Sequence, residues 1–139
     1  MLHERDRLLL GYARRLPLLL KVSPDLDRVA LEGVARIAVR ARIDGIVATN
    51  TTVQRGAGLD ASANQSGGLS GAPLHALALE TVAALRKLVG PDMPIIGVGG
   101  IDSVAKALAM RDAGADLIQI YTGLVYRGPA LVKRVVRAL

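Results

Sequence analysis

Pro94 to Asp102 reads PIIGVGGID. A short β-branched run ends in Gly97, Gly99 and Gly100, and an acidic residue stands where a helix would begin. Backbone without side chains, placed between a strand and a helix start, lets an anion approach amide N–H groups at a favourable end of the helix dipole. The stretch therefore predicts a strand, a phosphate-sized turn and a helix. Its G-x-G-G spacing is not a dinucleotide fingerprint, and no P-loop Lys-Ser/Thr follows. Its meaning depends on the flanking chain.

Toward the C-terminus, Asp102 is expected to cap a helix that Gly114 closes after Ala113. Leu117 to Tyr121 reads as a strand, Thr122 to Pro129 as a loop, and Ala130 to Leu139 as a helix with Lys133, Arg134 and Arg137 placed for its dipole. Toward the N-terminus, Pro91 and Pro94 bracket a turn that follows a helix from Pro73 to about Leu88, with Leu74, Leu77, Val82, Leu85 and Leu88 facing inward. Before it lies the longest irregular stretch, Thr49 to Ala72, of a length that in a compact domain is usually functional or disordered. Ile43 to Ala48 is a buried strand. It follows a helix capped by Asp25 or Asp27, with Leu26, Val29, Ala30, Val34, Ile37 and Ala38 at helical spacing. Pro17 to Val22 is the first strand, and residues 1–16 form an amphipathic lead-in.

Apolar strands alternating with amphipathic helices imply parallel pairing, right-handed crossovers and a ligand face at the strands' C-terminal ends. Every unusual polar or glycine-rich segment falls at such an end: Lys21 to Ser23, Thr49 to Thr52, Gly97 to Gly100 and Tyr121 to Gly123. The expected fold is thus α/β, a single domain over residues 1–139 with four βα units over 17–139. Four units are half of a (βα)8 (TIM) barrel, and two glycine-bearing strand ends at the close match the barrel phosphate site after strands seven and eight. The expected identity of the strands is five to eight, with the first half of the barrel absent from the chain.

Composition narrows the function classes. The 139 residues are 51% hydrophobic, with no Phe, no Trp and three Tyr, which suits layered helix and sheet packing. No cysteine excludes disulfides and thiolate metal sites, and His3 and His75 are too few for a histidine-rich site, so no metal is expected. A reducing, cytoplasmic setting fits. The net charge of +6 raises nucleic acid as a partner, but the arginines are scattered over every helix and Tyr12, Tyr121 and Tyr126 make no stacking platform. No nucleic acid is expected. No apolar run approaches the roughly 18 residues of a membrane span, and MLHERDRLLLGYARR is too charged for a secretory signal.

LLLKVSPDLD, DGIVATNTT, GGLSGAPL, PIIGVGGIDS and LIQIYTGLVYRGP, in this order and spacing, resemble the C-terminal half of dihydroorotate dehydrogenases of the quinone-linked class 2. The resemblance runs from about Pro17 to the end. It implies an FMN-containing TIM barrel that oxidises dihydroorotate to orotate in pyrimidine biosynthesis and passes electrons to membrane quinone. The complete enzyme would sit peripherally on the cytoplasmic side of the inner membrane.

Carried over by position, Lys21 would stand at the flavin's pyrimidine end, where a cation stabilises the reduced ring. Thr49 would contact the flavin, and Asn50 and Thr51 the substrate. Gly71 would offer backbone to the cofactor, Gly99 and Gly100 would form a phosphate cup, and Tyr121, Thr122 and Gly123 its second half. The competing reading is a snorkelling strand-end lysine, a cap or turn for the polar run, and a plain turn for each glycine. Tyr121 fits the core equally well, His75 reads as an exposed helical residue, and Arg55 is either a carboxylate attractor or solvated.

The family reaction needs a serine that takes a proton from C5 while hydride leaves C6 for flavin N5. Ser23, Ser62, Ser66, Ser70 and Ser103 all fall outside that serine's motif. No catalytic base is expected in this chain, and the chain alone is expected to be inactive and either to self-associate or to require the missing half barrel. The alternatives are a non-catalytic flavin- or phosphate-binding half barrel, a truncated product, or another FMN barrel such as a tRNA dihydrouridine synthase.

Overall fold

The computed structural model describes residues 2–8, 16–56 and 66–139. In chain order the elements are α1 (Leu2–Leu8), β1 (Leu19–Val22), α2 (Arg28–Arg40), β2 (Gly45–Ala48), α3 (His75–Val89), β3 (Ile95–Val98), α4 (Val104–Asp112), β4 (Leu117–Gln119), α5 (Thr122–Arg127) and α6 (Ala130–Ala138). A 3-10 turn, Ala72–Leu74, with Pro73 in its first positions, leads directly into α3. The strands form one parallel sheet in the order β1-β2-β3-β4. Strand–helix alternation thus gives the α/β parallel sheet that the apolar runs predict.

Register sorts the strand residues onto two faces. Leu20, Ile46 and Ile95 form one row and Val22, Ala48, Gly97 and Ile118 another. These rows face the helices, and Val22, Ile46, Ala48 and Ile95 are buried there with Ala38, Val82, Leu85 and Met110. The opposite face carries Lys21, Val47, Ile96 and Leu117 in one row and Val98 with Gln119 in the next. This face is open: Leu117 is 61% exposed and Leu19 is 39% exposed.

Two aspartates set the register at the strand entrances by the same device. Asp44 donates its N–H to Leu18 O and accepts from Leu18 N at 2.7 Å, and Asp116 does the same with Ile95 O and Ile95 N, also at 2.7 Å. Asp116 also binds Arg86 at 2.5 Å. The Arg86 guanidinium donates to Gly114 O, Gly90 O and Met93 O as well, so one side chain closes the end of α3 and the entrances of β3 and β4. An arginine suits this place because its fork of donors reaches several acceptors at once.

Several helix details differ from the sequence expectation. The buried stripe of α2 is Leu31, Ala35 and Ala38, whereas Val29 and Ile37 are exposed, because the helix turns its small residues to α3. Leu88 also lies outside the core. Asp27 caps α2 as expected, accepting from Ala30 N. The cap of α4 is Ser103 rather than Asp102, since Ser103 has the extended backbone that lets its hydroxyl reach Lys106 N. Residues 122–127 form α5, where a loop was expected. Of the expected lead-in, residues 2–8 are helical, and Tyr12 lies outside the described residues.

Gly97 belongs to the helix-facing row, not to an anion site. A Cβ built there would lie 2.5 Å from Met110 Cγ and 2.8 Å from Ala115 Cβ. Gly97→Ala should therefore destabilise the domain by about 1–3 kcal/mol through overpacking under α4. Urea denaturation checks this; an unchanged midpoint would contradict the packing role.

Candidate functional site

The C-terminal ends of the four strands open on a cleft of about 220 Å³. All ten predicted positions line it: Lys21, Thr49, Asn50, Thr51, Gly71, Gly99, Gly100, Tyr121, Thr122 and Gly123. Ser70, Leu74, Val98, Ile101 and Gln119 line it as well and were not singled out from sequence. Gln119 was legible in principle, because the strand alternation that turns Lys21 to the open face turns Gln119 there too.

Lys21 projects from β1 on the open face, and among the described residues no carboxylate pairs with it. Thr49 follows β2 through a cis peptide bond with Ala48. It is buried, its N–H donates to Val98 O at 2.7 Å, and its hydroxyl donates to Asn50 O at 2.9 Å, which leaves the oxygen as an acceptor. Asn50 donates its N–H to Val22 O, and its Oδ1 accepts from Thr51 N at 2.9 Å. The side-chain amide hydrogens are what Asn50 can offer a ligand.

The long loop is tied at both described ends. Thr52 and Leu69 exchange backbone hydrogen bonds of 3.1 and 2.7 Å. Arg55, read from sequence as a carboxylate attractor or a solvated group, is exposed and donates to Gly67 O at 2.6 Å and to Thr52 O, clasping one arm to the other. Asp25 anchors the first arm, accepting from the Thr52 hydroxyl and, at 2.8 Å, from Val53 N. Residues 57–65, with Ser62, lie outside the described residues.

Three turns meet at the deep end. Gly100 has φ +62°, and a Cβ there would come within 2.7 Å of Gly71 O and of His75 Cβ. The β3–α4 turn can rest on the start of α3 only without that side chain. Gly123 sits equally close, since its Cβ would lie 2.0 Å from Ile101 O. Thr122 Oγ1 donates to Ser70 Oγ at 2.9 Å, which closes the circuit back to Gly71. Among the described residues no backbone carbonyl accepts from the N–H of Gly99 or Gly100. Thr122 and Gly123 open α5, where N–H groups have no partner within the helix.

Two sequence expectations change here. His75 is half-buried, and its ring Nδ1 lies 3.0 Å from Gly99 O, so it is part of the turn and not a solvated helical residue. Tyr121 is 77% exposed and therefore not core. Behind the turn, Asp102 pairs with Lys106 at 2.9 Å. The Lys106 hydrogen bond, with Lys106 and Arg127 charge, outweighs burial and holds the Asp102 carboxyl below its ordinary range. Its charge is thereby offset beside a surface rich in free amides. Among the described residues no group of three His, Cys, Asp or Glu side chains could hold a metal, and no helix is long and apolar enough to cross a membrane.

Fold and site together define an α/β protein with a polar, amide-lined cleft at the C-terminal edge of a parallel sheet. The family profile described as dihydroorotate dehydrogenase matches residues 4–139, so it takes in the lead-in as well as the four βα units. A dihydroorotate dehydrogenase (quinone) of Brucella anthropi is 50% identical over 125 residues, covering 88% of this chain and 34% of that protein. The Brucella ovis enzyme of the same name is 50% identical over 124 residues, with the same coverage. The crystal structure of Eimeria tenella DHODH in complex with ferulenol superposes with a TM-score of 0.86 at 35% identity, covering 93% of this chain and 34% of that one. The ligand-free type from the same organism gives 0.85 at 36% identity, covering 90% and 35%. This chain belongs to the dihydroorotate dehydrogenase family, and it spans about a third of the length of the curated relatives it matches.

The loop anchor at Asp25 makes a pH-dependent prediction. Burial opposes its charge, but hydrogen bonds from Thr52, Val53, Gln54 and Ser23 win and hold the carboxyl below its ordinary value. A lowered folded-state pKa gives stability that is present above the unfolded value of about 3.9 and lost as pH falls through the folded value. Asp25→Ala should cost about 1–2 kcal/mol locally, which is about 5- to 30-fold faster hydrogen exchange at the Thr52 and Val53 amides near pH 6. Wild-type loosening at these amides should set in only below about pH 3.9. Equal exchange in variant and wild type would contradict the anchor.

Proposed function

We propose that this chain is the FMN-phosphate- and substrate-gripping segment of a quinone-linked dihydroorotate dehydrogenase, acting in the oxidation of dihydroorotate to orotate. One observation carries the reading: the amides of Gly99 and Gly100 and the Lys21 ammonium, unpaired among the described residues, line the same cleft as the first-turn amides of Thr122 and Gly123. That donor set fits a phosphate at one end and an electron-rich ring beside a cation at the other. The quinone enzymes of Brucella, half identical to this chain, support the substrate and acceptor class.

In this reading Gly99, Gly100, Thr122 and Gly123 hold the phosphate through backbone N–H groups. Gly71 and Tyr121 line the approach, and Thr49 supplies an acceptor. Asn50 and Thr51 bind dihydroorotate, an anionic ring with donors and acceptors, through an amide and a hydroxyl. Lys21 provides the positive charge that favours the reduced state of the cofactor. FMN, when bound, accepts the two electrons removed from dihydroorotate.

The four strands correspond to strands five to eight of a TIM barrel, and the open face with Leu19, Val47, Ile96 and Leu117 is the surface that the rest of the barrel, or a second copy, covers. The whole enzyme sits peripherally on the cytoplasmic side of the inner membrane and delivers electrons to quinone.

The proton-accepting serine comes from outside this chain. Ser23 accepts from Asp25 N, Ser103 caps α4, and Ser70 accepts from Thr122. Purified chain is expected to bind FMN at least tenfold more tightly than riboflavin, measured by flavin fluorescence, and to form no orotate from dihydroorotate with a quinone acceptor. Equal binding of the two flavins would overturn the phosphate site, and orotate formation would overturn the missing base. Lys21→Met should move the midpoint potential of bound FMN to a more negative value; an unchanged potential would remove Lys21 from its assigned place.

A further inference from the structure

His75 lies outside the cleft lining, yet its ring reaches the cup's first peptide. It opens α3, its ring is half-buried, and its Nδ1 lies 3.0 Å from Gly99 O. A carbonyl can only accept, so Nδ1 carries the proton of this bond. The same residue's Cβ and N pack at the place where a Gly100 side chain would stand, 2.7 and 2.8 Å from an added Cβ. The histidine therefore holds the peptide by contact and by hydrogen bond together.

Gly99 O and the Gly100 N–H belong to one peptide unit. In a planar trans peptide the C=O and N–H point in opposite directions, so fixing the carbonyl on His75 turns the N–H away from α3. The unit is flanked by two glycines, with φ of +147° and +62°, and no side chain of its own opposes a flip of the peptide plane. A flipped peptide would present a carbonyl oxygen, and repulsion, to an anion. We propose that His75 is a positioning residue that selects the anion-accepting orientation of the Gly99–Gly100 peptide. This rests on the flavin-phosphate reading for the identity of the anion, but not for the orientation of the peptide.

The test uses wild-type chain, His75→Ala and His75→Asn, whose amide nitrogen can take the place of Nδ1. FMN and riboflavin titrations are compared with the 15N resonance of the Gly100 amide in the ligand-free protein. Loss of one neutral hydrogen bond should weaken FMN about three- to tenfold in His75→Ala and leave riboflavin unchanged. The Gly100 resonance should shift, and His75→Asn should restore both. Equal weakening of the two flavins, or an unmoved Gly100 resonance, would overturn the proposal. Should the wild type bind both flavins equally, the flavin-phosphate reading fails by itself. A Gly100 shift that His75→Asn reverses would then still uphold the positioning role, and its absence would end it.

Discussion

The cleft depends on a distance too short for a side chain. The β3–α4 turn and the start of α3 approach so closely at residue 100 that one added carbon would stand within 2.7 Å of backbone and side chain alike. Because glycine permits that contact, His75 can reach Gly99 O, Gly71 can abut the turn, and α5 can seat Gly123 on Ile101. Three loops that are far apart in sequence become one rim. Among the described residues, the amides of Gly99 and Gly100 on this rim find no backbone acceptor.

The sheet makes this rim possible from below. Aspartates 44 and 116 fix the strand entrances, and Arg86 joins the α3 terminus to two of them, so the four strand ends emerge in a fixed stagger. The helix-facing side is tightly filled, as the contact of Gly97 with Met110 shows. The open side is different in kind. Its row from Lys21 through Val47 and Ile96 to Leu117 is mostly apolar and partly uncovered, with the polar Lys21 and Gln119 set toward the cleft.

Much of this was legible in the residues. Apolar runs of strand length, each followed by glycine or polar residues, located nine of the ten predicted cleft residues, and the resemblance carried by GGLSG added Gly71. What escaped had physical causes. Ser103 displaced Asp102 as a cap because extended backbone at the N-cap outweighs residue type. Gly97 and Gly99 look alike in G-x-G-G and alternation turns both toward the helices, where an added Cβ would meet Met110 at one and Ala78 at the other, yet only Gly99 also lines the cleft. His75 was read as solvated because nothing local marks a partner that lies 24 residues away. Arg55 and Asp25 likewise act across the loop on partners that only the folded chain brings near.

The central claim is that the Gly99–Gly100 turn and the start of α5 receive the phosphate of FMN. A crystal structure of the chain with FMN bound tests it most directly. Phosphate oxygens are expected within hydrogen-bond reach of the N–H groups of Gly100 and Gly123, with the flavin ring extending toward Lys21. FMN found with its phosphate in solvent, or seated on the open apolar face, would contradict it.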